Sequence, residues 1–269
     1  MVRFMSLSSG SSGNCYYIES PEGAILIDVG INIRNISHDL KLHNISMADK
    51  VKAVLLTHDH ADHIRSIGHL SEKYGFPIYA TEKVFKGIDH ARYVINKPEV
   101  RLRNVVVPEK SFGVAGFEVT AFDIPHDASQ NVGYYISGHG LSFTLLTDVG
   151  HITSTIRKYA SKAIHLVVEA NYDKEMLMFG SYPEFLKQRV SGPTGHLSNQ
   201  ETGEFLASVF RPEMENIWLC HLSKDNNHPE LCWKTIENRL FNEGIRVGKD
   251  VTLTTLKRTQ ASPLYVLVP

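Results

Sequence analysis

The sequence predicts an α+β protein in which two mixed β-sheets pack face to face and helices cover their outer faces. Three observations point there. Strand-like apolar runs alternate with helical segments along the whole chain. The strands are too many for one open sheet, so a second must stack on the first. No repeat, low-complexity tract or interdomain linker interrupts the 269 residues, which read as a single domain, 1–269. A chain of this length buries about 75% of its unfolded surface and needs no disulfide to hold a core.

The elements follow in order. Strands are expected at about 2–7, 15–19 and 24–29, the last two joined by a Pro21-Glu22-Gly23 turn. A helix at about 33–43 leads to a buried strand at about 53–57. A helix at about 61–73, a strand at about 77–80 and a helix at about 83–90 come next. Strands near 104–107, 117–122, 132–137 and 142–147 follow, and Gly138-His139-Gly140 marks a hairpin between the last two. Helices at about 152–159, 182–190, 199–210 and 230–243 then alternate with strands at about 164–169, 216–220, 251–256 and 264–268. Ser198 or Asn199 caps the third of these helices, and Pro212 ends it.

Composition narrows the function. With 28 Lys+Arg against 29 Asp+Glu, the net charge of −1 makes no overall electrostatic case for nucleic acid or an acidic membrane. The three cysteines, Cys15, Cys220 and Cys232, have no CxxC spacing and suit a reducing compartment. Cys15 and Cys220 lie in apolar runs and read as small core residues. There is no basic-then-apolar leader and no window of about 18 apolar residues. A soluble cytoplasmic protein without membrane contact is expected, and no protein partner is inferable.

The chemistry concentrates at strand ends. Thr57-His58-Asp59-His60-Ala61-Asp62-His63 holds three imidazoles and two carboxylates at the tip of a buried strand. Imidazole and carboxylate are the ligands that borderline divalent ions favour. Side chains two apart in extended chain point the same way, so His58 and His60 can grip one ion. Asp62 and His63, at the turn into the helix, then face a second position. Four further pieces match. Asp28 ends an apolar strand as Asp-x-Gly and can orient a ligand imidazole. His126 follows a strand behind Pro125. Asp148 ends another strand as Asp-x-Gly and has two oxygens with which to bridge ions. His221 ends the run Asn216–Cys220. His38, His43, His69, His90, His139, His151, His165 and His228 lack such company and read as ordinary surface or core residues.

Asp28, His58-x-His60-x-Asp62-His63, His126, Asp148 and His221, in this order, resemble the signature of the metallo-β-lactamase superfamily over nearly the whole chain. The resemblance implies a four-layer αββα sandwich and a site for two divalent metal ions. It also implies ligand roles: His58, His60 and His126 for one ion, Asp62, His63 and His221 for the other, Asp148 as bridge and Asp28 as support. Finer features are Ser8-Ser9-Gly10-Ser11-Ser12-Gly13-Asn14, Pro125-His126-Asp127-Ala128, Glu169-Ala170-Asn171-Tyr172-Asp173, Gly195-His196-Leu197-Ser198-Asn199 and His221-Leu222-Ser223-Lys224-Asp225-Asn226-Asn227. They are similar to the YycJ (WalJ)-type bacterial nucleases, a subgroup related to ribonuclease Z and the β-CASP nucleases. That implies phosphodiester cleavage in DNA with 5′-exonuclease action. A long insert of the β-CASP kind between Asp148 and His221 is missing, as is the extended arm of ribonuclease Z.

Two ions about 3.5–4 Å apart can activate water and stabilise charge on phosphorus. The leaving alkoxide still needs a proton. Glu169 and His196 are the candidates, because a carboxylate bonded to an imidazole keeps it oriented and charged. Asp62 belongs to this catalytic set as well as to the ligands. The Ser/Gly loop reads as a nest of N–H groups and hydroxyls facing a phosphate, with Ser9, Ser11, Ser12, Asn14 and Lys224 as candidate substrate contacts. Residues 82–110 carry seven cations against four acids, a local balance of +3. The expected function is a metal-dependent phosphodiesterase on nucleic acid, a DNA 5′-exonuclease with zinc or manganese. One rival is a thioester or lactone hydrolase with the same metal core. Another is a diiron redox module, which expects a carboxylate within the HxHxDH set and a flavin partner domain.

Overall fold

A computed structural model describes residues 1–269. Thirteen strands appear in sequence as β1 (Val2–Ser8), β2 (Cys15–Ser20), β3 (Gly23–Ile27), β4 (Val51–Leu55), β5 (Ile78–Ala80), β6 (Arg103–Val105), β7 (Ser111–Val114), β8 (Phe117–Ile124), β9 (Asn131–Gly138), β10 (Leu141–Leu146), β11 (His165–Glu169), β12 (Asn216–Cys220) and β13 (Thr252–Thr255), and β14 (Tyr265–Leu267) closes the chain. They form two seven-stranded sheets, ordered β14-β1-β2-β3-β4-β5-β6 and β13-β12-β11-β10-β9-β8-β7. Each sheet is part antiparallel and part parallel: β3 to β6 run parallel in the first, and β10 to β13 in the second.

The period-two alternation of the strands makes this a four-layer αββα sandwich. Ile25 and Ile27 of β3 and Val167, Trp218 and Cys220 of β11 and β12 point between the sheets. Their neighbours point outward. Ala24 and Leu26 meet Ile36, Leu40, Ile67, Leu70 and Val84 of the helices Ile33–Leu42, Ile67–Tyr74 and Glu82–His90. Leu166, Val168, Ile217 and Leu219 meet Ile156, Phe205, Leu206, Ile236 and Leu240 of the helices Ser154–Ala160, Asn199–Val209 and Pro229–Asn242. Three apolar cores thus alternate with four layers. His165 lies in the central core against Phe143 and Trp218, and burial pushes its pKa down to about 4. Cys15, Cys220 and Cys232 are free and buried.

Both expected hairpins form. Ser20 pairs with Gly23 across the first. In the second, His139 and Gly140 have φ of 53° and 76°, the left-handed pair of a two-residue turn. Ser198 caps the helix Asn199–Val209, and Glu201 completes a capping box. The expected helix at about 61–73 is broken, because Ser66 N–H donates to Val29 O (3.0 Å) and splits it into Ala61–Ile64 and Ile67–Tyr74. Strand β7 and the helices Met47–Lys50 and Lys174–Phe179 were not expected. β7 is an edge strand without a buried residue, so no apolar alternation marks it. No helix is long and apolar enough to cross a membrane.

Candidate metal centre

Parallel strands deliver their carboxyl ends to one edge of the sandwich. Asp28 follows β3, His58 and His60 follow β4, Asp148 follows β10, Glu169 ends β11, and His221 follows β12. Three of these residues turn the chain sharply. Asp28, Asp148 and His221 have φ of 58°, 56° and 53°. Such left-handed residues other than glycine cost on the order of 1–3 kcal/mol each and persist only where contacts hold them. Asn131 Nδ2 donates to Thr147 O and Asp148 O (3.1 and 2.8 Å). His221 is held from both sides: its N–H donates to Ser9 Oγ (3.0 Å), and Asn171 Nδ2 donates to its carbonyl (2.8 Å). Asp28 N–H donates to Leu55 O (2.9 Å).

Five imidazoles gather there, and each spends one nitrogen on an oxygen. His58 Nδ1 donates to Thr57 Oγ1 (3.0 Å), whose own hydroxyl donates to Asp28 Oδ2 (2.8 Å). His60 Nε2 donates to Asp127 O (3.2 Å) and His63 Nδ1 to Asp28 Oδ2 (2.7 Å). His126 Nδ1 donates to Gly195 O (3.0 Å) and His221 Nδ1 to Glu169 Oε1 (2.9 Å). The other nitrogen of each differs in its company: His63 Nε2 lies 3.2 Å from Asp148 Oδ2 and His221 Nε2 3.5 Å from Asp62 Oδ2. For His58 and His126 that atom, Nε2, is buried without any partner. A buried unpaired imidazole nitrogen is costly, and two beside a third imidazole fit a set of ligands for a cation.

The donor atoms of His58, His60 and His126 lie within 4.8 Å of one another, as do those of Asp62, His63 and His221. Asp148 sits between the groups: Oδ2 is 3.2 Å from His63 Nε2, and Oδ1 is 3.6 Å from His126 Nε2. These residues can hold divalent metal.

Charge divides the centre. Burial, then the charge on His63, pushes His58 well below the ordinary imidazole range, and burial likewise lowers His126. For His63 burial acts the same way, but Asp28 and Asp148 outweigh it and hold the ring well above that range. His221 is raised to about 10, with Asp148, Asp62 and Glu169 overcoming its burial. Burial pushes the Asp148 carboxyl up, yet His221 and His63 hold it well below the usual value.

Glu169 and His196 meet. Glu169 Oε1 accepts from His196 Nδ1 (2.8 Å) as well as from His221, and Oε2 accepts from Val149 N–H (2.8 Å) and Leu197 N–H (3.2 Å). Burial opposes charge on His196, but Glu169 raises its pKa above the ordinary value. No protein group bonds His196 Nε2, and the side chain is 17% exposed.

The Ser/Gly loop corrects the expected nest. Gly10 N–H donates to Asn14 Oδ1 (2.9 Å), Gly13 N–H to Gly10 O (2.8 Å) and Asn14 N–H to Asp62 O (2.8 Å), so these donors serve the fold. Ser9 is fully buried, with its hydroxyl engaged by Tyr16 Oη (2.9 Å) and His221 N–H, and cannot meet a substrate. Asn14 is also fully buried. Its Nδ2 lies 3.0 Å from His63 Nε2 and 3.4 Å from Asp62 Oδ2, which places it beside the ligands. Ser11, Ser12 and Lys224 are exposed. Sequence reasoning missed Thr57, Asn131 and Asn171. Thr57 stands inside the motif, but a hydroxyl is not among the metal-binding groups that mark it. It also missed the Arg189–Asp127 pair beside His60 and His126.

Comparison with known proteins places this geometry. The beta-lactamase superfamily domain matches residues 24–217. Exodeoxyribonuclease WalJ of Streptococcus pneumoniae is 33% identical over 262 residues, 97% of this chain and 97% of that protein. Exodeoxyribonuclease YycJ of Bacillus anthracis is 33% identical over 249 residues, 92% of each. The zinc-bound crystal structure of PqqB from Methylobacterium extorquens superposes with a TM-score of 0.71 at 17% identity, covering 97% of this chain and 99% of that one. From its imidazole-rich strand-end site and these full-length relatives, the chain belongs to the metallo-β-lactamase superfamily, in the group of WalJ and YycJ, and is a metal-dependent hydrolase.

Proposed function

We propose that this chain is a cytoplasmic DNA exonuclease, acting as one catalytic domain, that removes nucleotides from 5′ ends with two divalent ions, zinc or manganese. His58, His60 and His126 would hold one ion and Asp62, His63 and His221 the other, with Asp148 placed to serve both groups. Ions bound there supply Lewis acidity to the phosphodiester and make water acidic enough to attack near neutral pH.

The protein's own groups do the rest. Asp62, whose side chain is 19% exposed, presents a carboxylate at the open side of the ligand set and orients the attacking water. His196, kept charged by Glu169, delivers the Nε2 proton to the departing 3′-oxygen as the P–O bond breaks, while the attacking water bonds to phosphorus through its oxygen and releases its proton to solvent. Glu169 touches no substrate; it positions His196 and His221 from one oxygen. Ser11, Ser12 and Lys224 are exposed and contact the strand.

The observation that carries the reading is the His196–Glu169 pair at 2.8 Å beside the ligand cluster. Such a proton donor serves a poor alkoxide leaving group and would be idle for a thioester. The names of the two full-length relatives support the same substrate class. The test is digestion of end-labelled single- and double-stranded DNA and RNA with added zinc or manganese, alongside a thioester and a lactone. Stepwise release of mononucleotides from 5′-ends of DNA is expected. Turnover of the thioester or lactone with intact DNA would overturn the proposal.

A further inference from the structure

We propose that the cavity beside His60 is a preformed subsite for one unpaired nucleotide flanking the scissile phosphate, with lysines for its backbone and Tyr93 for its base. This rests on the nuclease reading above. A surface cavity of about 900 Å³ between Arg34, Lys41 and Lys73 includes none of the candidate ligands. A smaller one, about 640 Å³, has His60 in its wall together with Lys83, Lys86, His90, Tyr93 and Ser129. That volume is within the about 300–1,000 Å³ of small-molecule sites. A phosphate reacting beside His60 puts the next nucleotide into this space.

The residues there divide the work. Lys83 is exposed and pairs with no acid, and Lys86 pairs only with the exposed Glu82 (2.7 Å). Three other cations of this basic stretch are occupied, and Arg92 and Lys110, which pair with no acid, do not line the cavity. Arg101 binds Glu99, Arg103 binds Asp89, and Lys97 caps the carbonyls of Ile88 and Ala91. Lys83 and Lys86 are the lysines that line the cavity. Its inner acid is held by the loop: Asp59 accepts from Ser129 N–H (3.1 Å) and Ser129 Oγ (2.6 Å). Tyr93 Oη donates to Asp59 O (2.7 Å), which pins the ring while leaving the residue 44% exposed. A pinned, open aromatic face is what stacks an unpaired base. Gly87 sets the spacing, because a Cβ there would lie 1.9 Å from Asp59 Oδ2. Only glycine lets the helix Glu82–His90 approach the loop that carries His60, so the lysines are fixed relative to the reacting centre.

The experiment measures binding apart from turnover: anisotropy of 5′-fluorescein-labelled dT10 with the full chain in EDTA. Lys83→Ala/Lys86→Ala should weaken binding about ten-fold at low salt and reduce the slope of log K against log salt by about 1.4, near 0.7 per phosphate on a single strand. Tyr93→Leu should weaken it about five-fold or more, and Tyr93→Phe should weaken it less, since it keeps the stacking ring and loses only the hydroxyl that pins it. A blunt duplex of the same length should bind more weakly than dT10 and respond less to Tyr93→Leu. Absent binding by the unmodified protein, or equal binding by the lysine and leucine variants, overturns the subsite. Loss of dT10 binding in the variants, with no DNA cleavage by the unmodified protein under zinc or manganese, keeps the subsite and overturns the nuclease reading instead.

Discussion

Glu169 is the side chain on which most depends. Its two oxygens accept four hydrogen bonds, two from imidazoles and two from backbone N–H groups, and it is fully buried. Burial opposes its ionisation, but His196 and His221 hold the carboxyl below the usual range. It can therefore keep His221 aimed inward and His196 charged at once. The two partners separate under mutation. His196→Ala should slow DNA cleavage by about 10²–10⁴-fold, the span of general acid catalysis, and leave metal content unchanged. Glu169→Gln removes the charge behind both rings, and should lower metal affinity by about 10–100-fold as well as rate. Cleavage kinetics with metal analysis by mass spectrometry check both. A His196→Ala enzyme that cleaves at the original rate refutes the acid role.

Three loops, rather than any single strand, build the floor of the centre. Val29 N–H donates to His63 O (2.7 Å), Gly30 N–H to Asn14 O (2.9 Å), and Asn14 N–H to Asp62 O (2.8 Å). The loops after β1, β3 and β4 are thereby zipped through their backbones. Gly30 is where they come closest: an added Cβ would lie 1.6 Å from Asp62 O, a backbone atom that cannot swing away. Gly30→Ala should cost roughly 1–3 kcal/mol in overpacking, lower Tm by about 5 °C and weaken metal binding with it. Gly113→Ala in the edge strand β7, with nothing within 4 Å of the added carbon, should leave both unchanged. Thermal unfolding and metal titration of the two variants test this, and an unaltered Gly30→Ala protein would mean the loops separate freely.

For the molecule as a unit, metal and proton compete. Without metal, the raised pKa values of His63 and His221 keep those rings protonated near neutral pH, paired with Asp28, Asp148, Asp62 and Glu169. Such raised groups stabilise the metal-free fold fully below their unfolded value of about 6.5, and for His221 this support is lost as pH rises through about 10. The lowered carboxyls of Asp62, Asp148 and Glu169 act oppositely, and their support is lost as pH falls. A bound cation must displace the imidazole protons, so its affinity rises with pH. At an ion concentration about 100 times Kd the gain is about 2.7 kcal/mol, a Tm rise of about 5 °C for a domain of this size. Scans with manganese and with EDTA at pH 6, 7 and 8 should show that gap widening with pH; a gap that narrows would place the protons elsewhere.

Residue types and their near neighbours already marked much of this protein. The apolar runs that become β3, β4, β10 and β12 each stop at an acid or imidazole, and the hairpin at His139-Gly140 and the Ser198 cap are properties of a few adjacent residues. Local pattern suffices there because backbone geometry and side-chain alternation are short-range effects. What folding alone settled involves segments far apart in the chain. Ser9 is buried because it holds His221, 212 residues away, and Asn14 turns inward to His63, 49 residues away. The break at Ser66 depends on Val29, and Glu169 serves two rings because β11 lies next to β12. Which nitrogen of each imidazole stays free is likewise set by oxygens that only packing brings within reach, since a hydrogen bond acts over about 3 Å regardless of sequence separation.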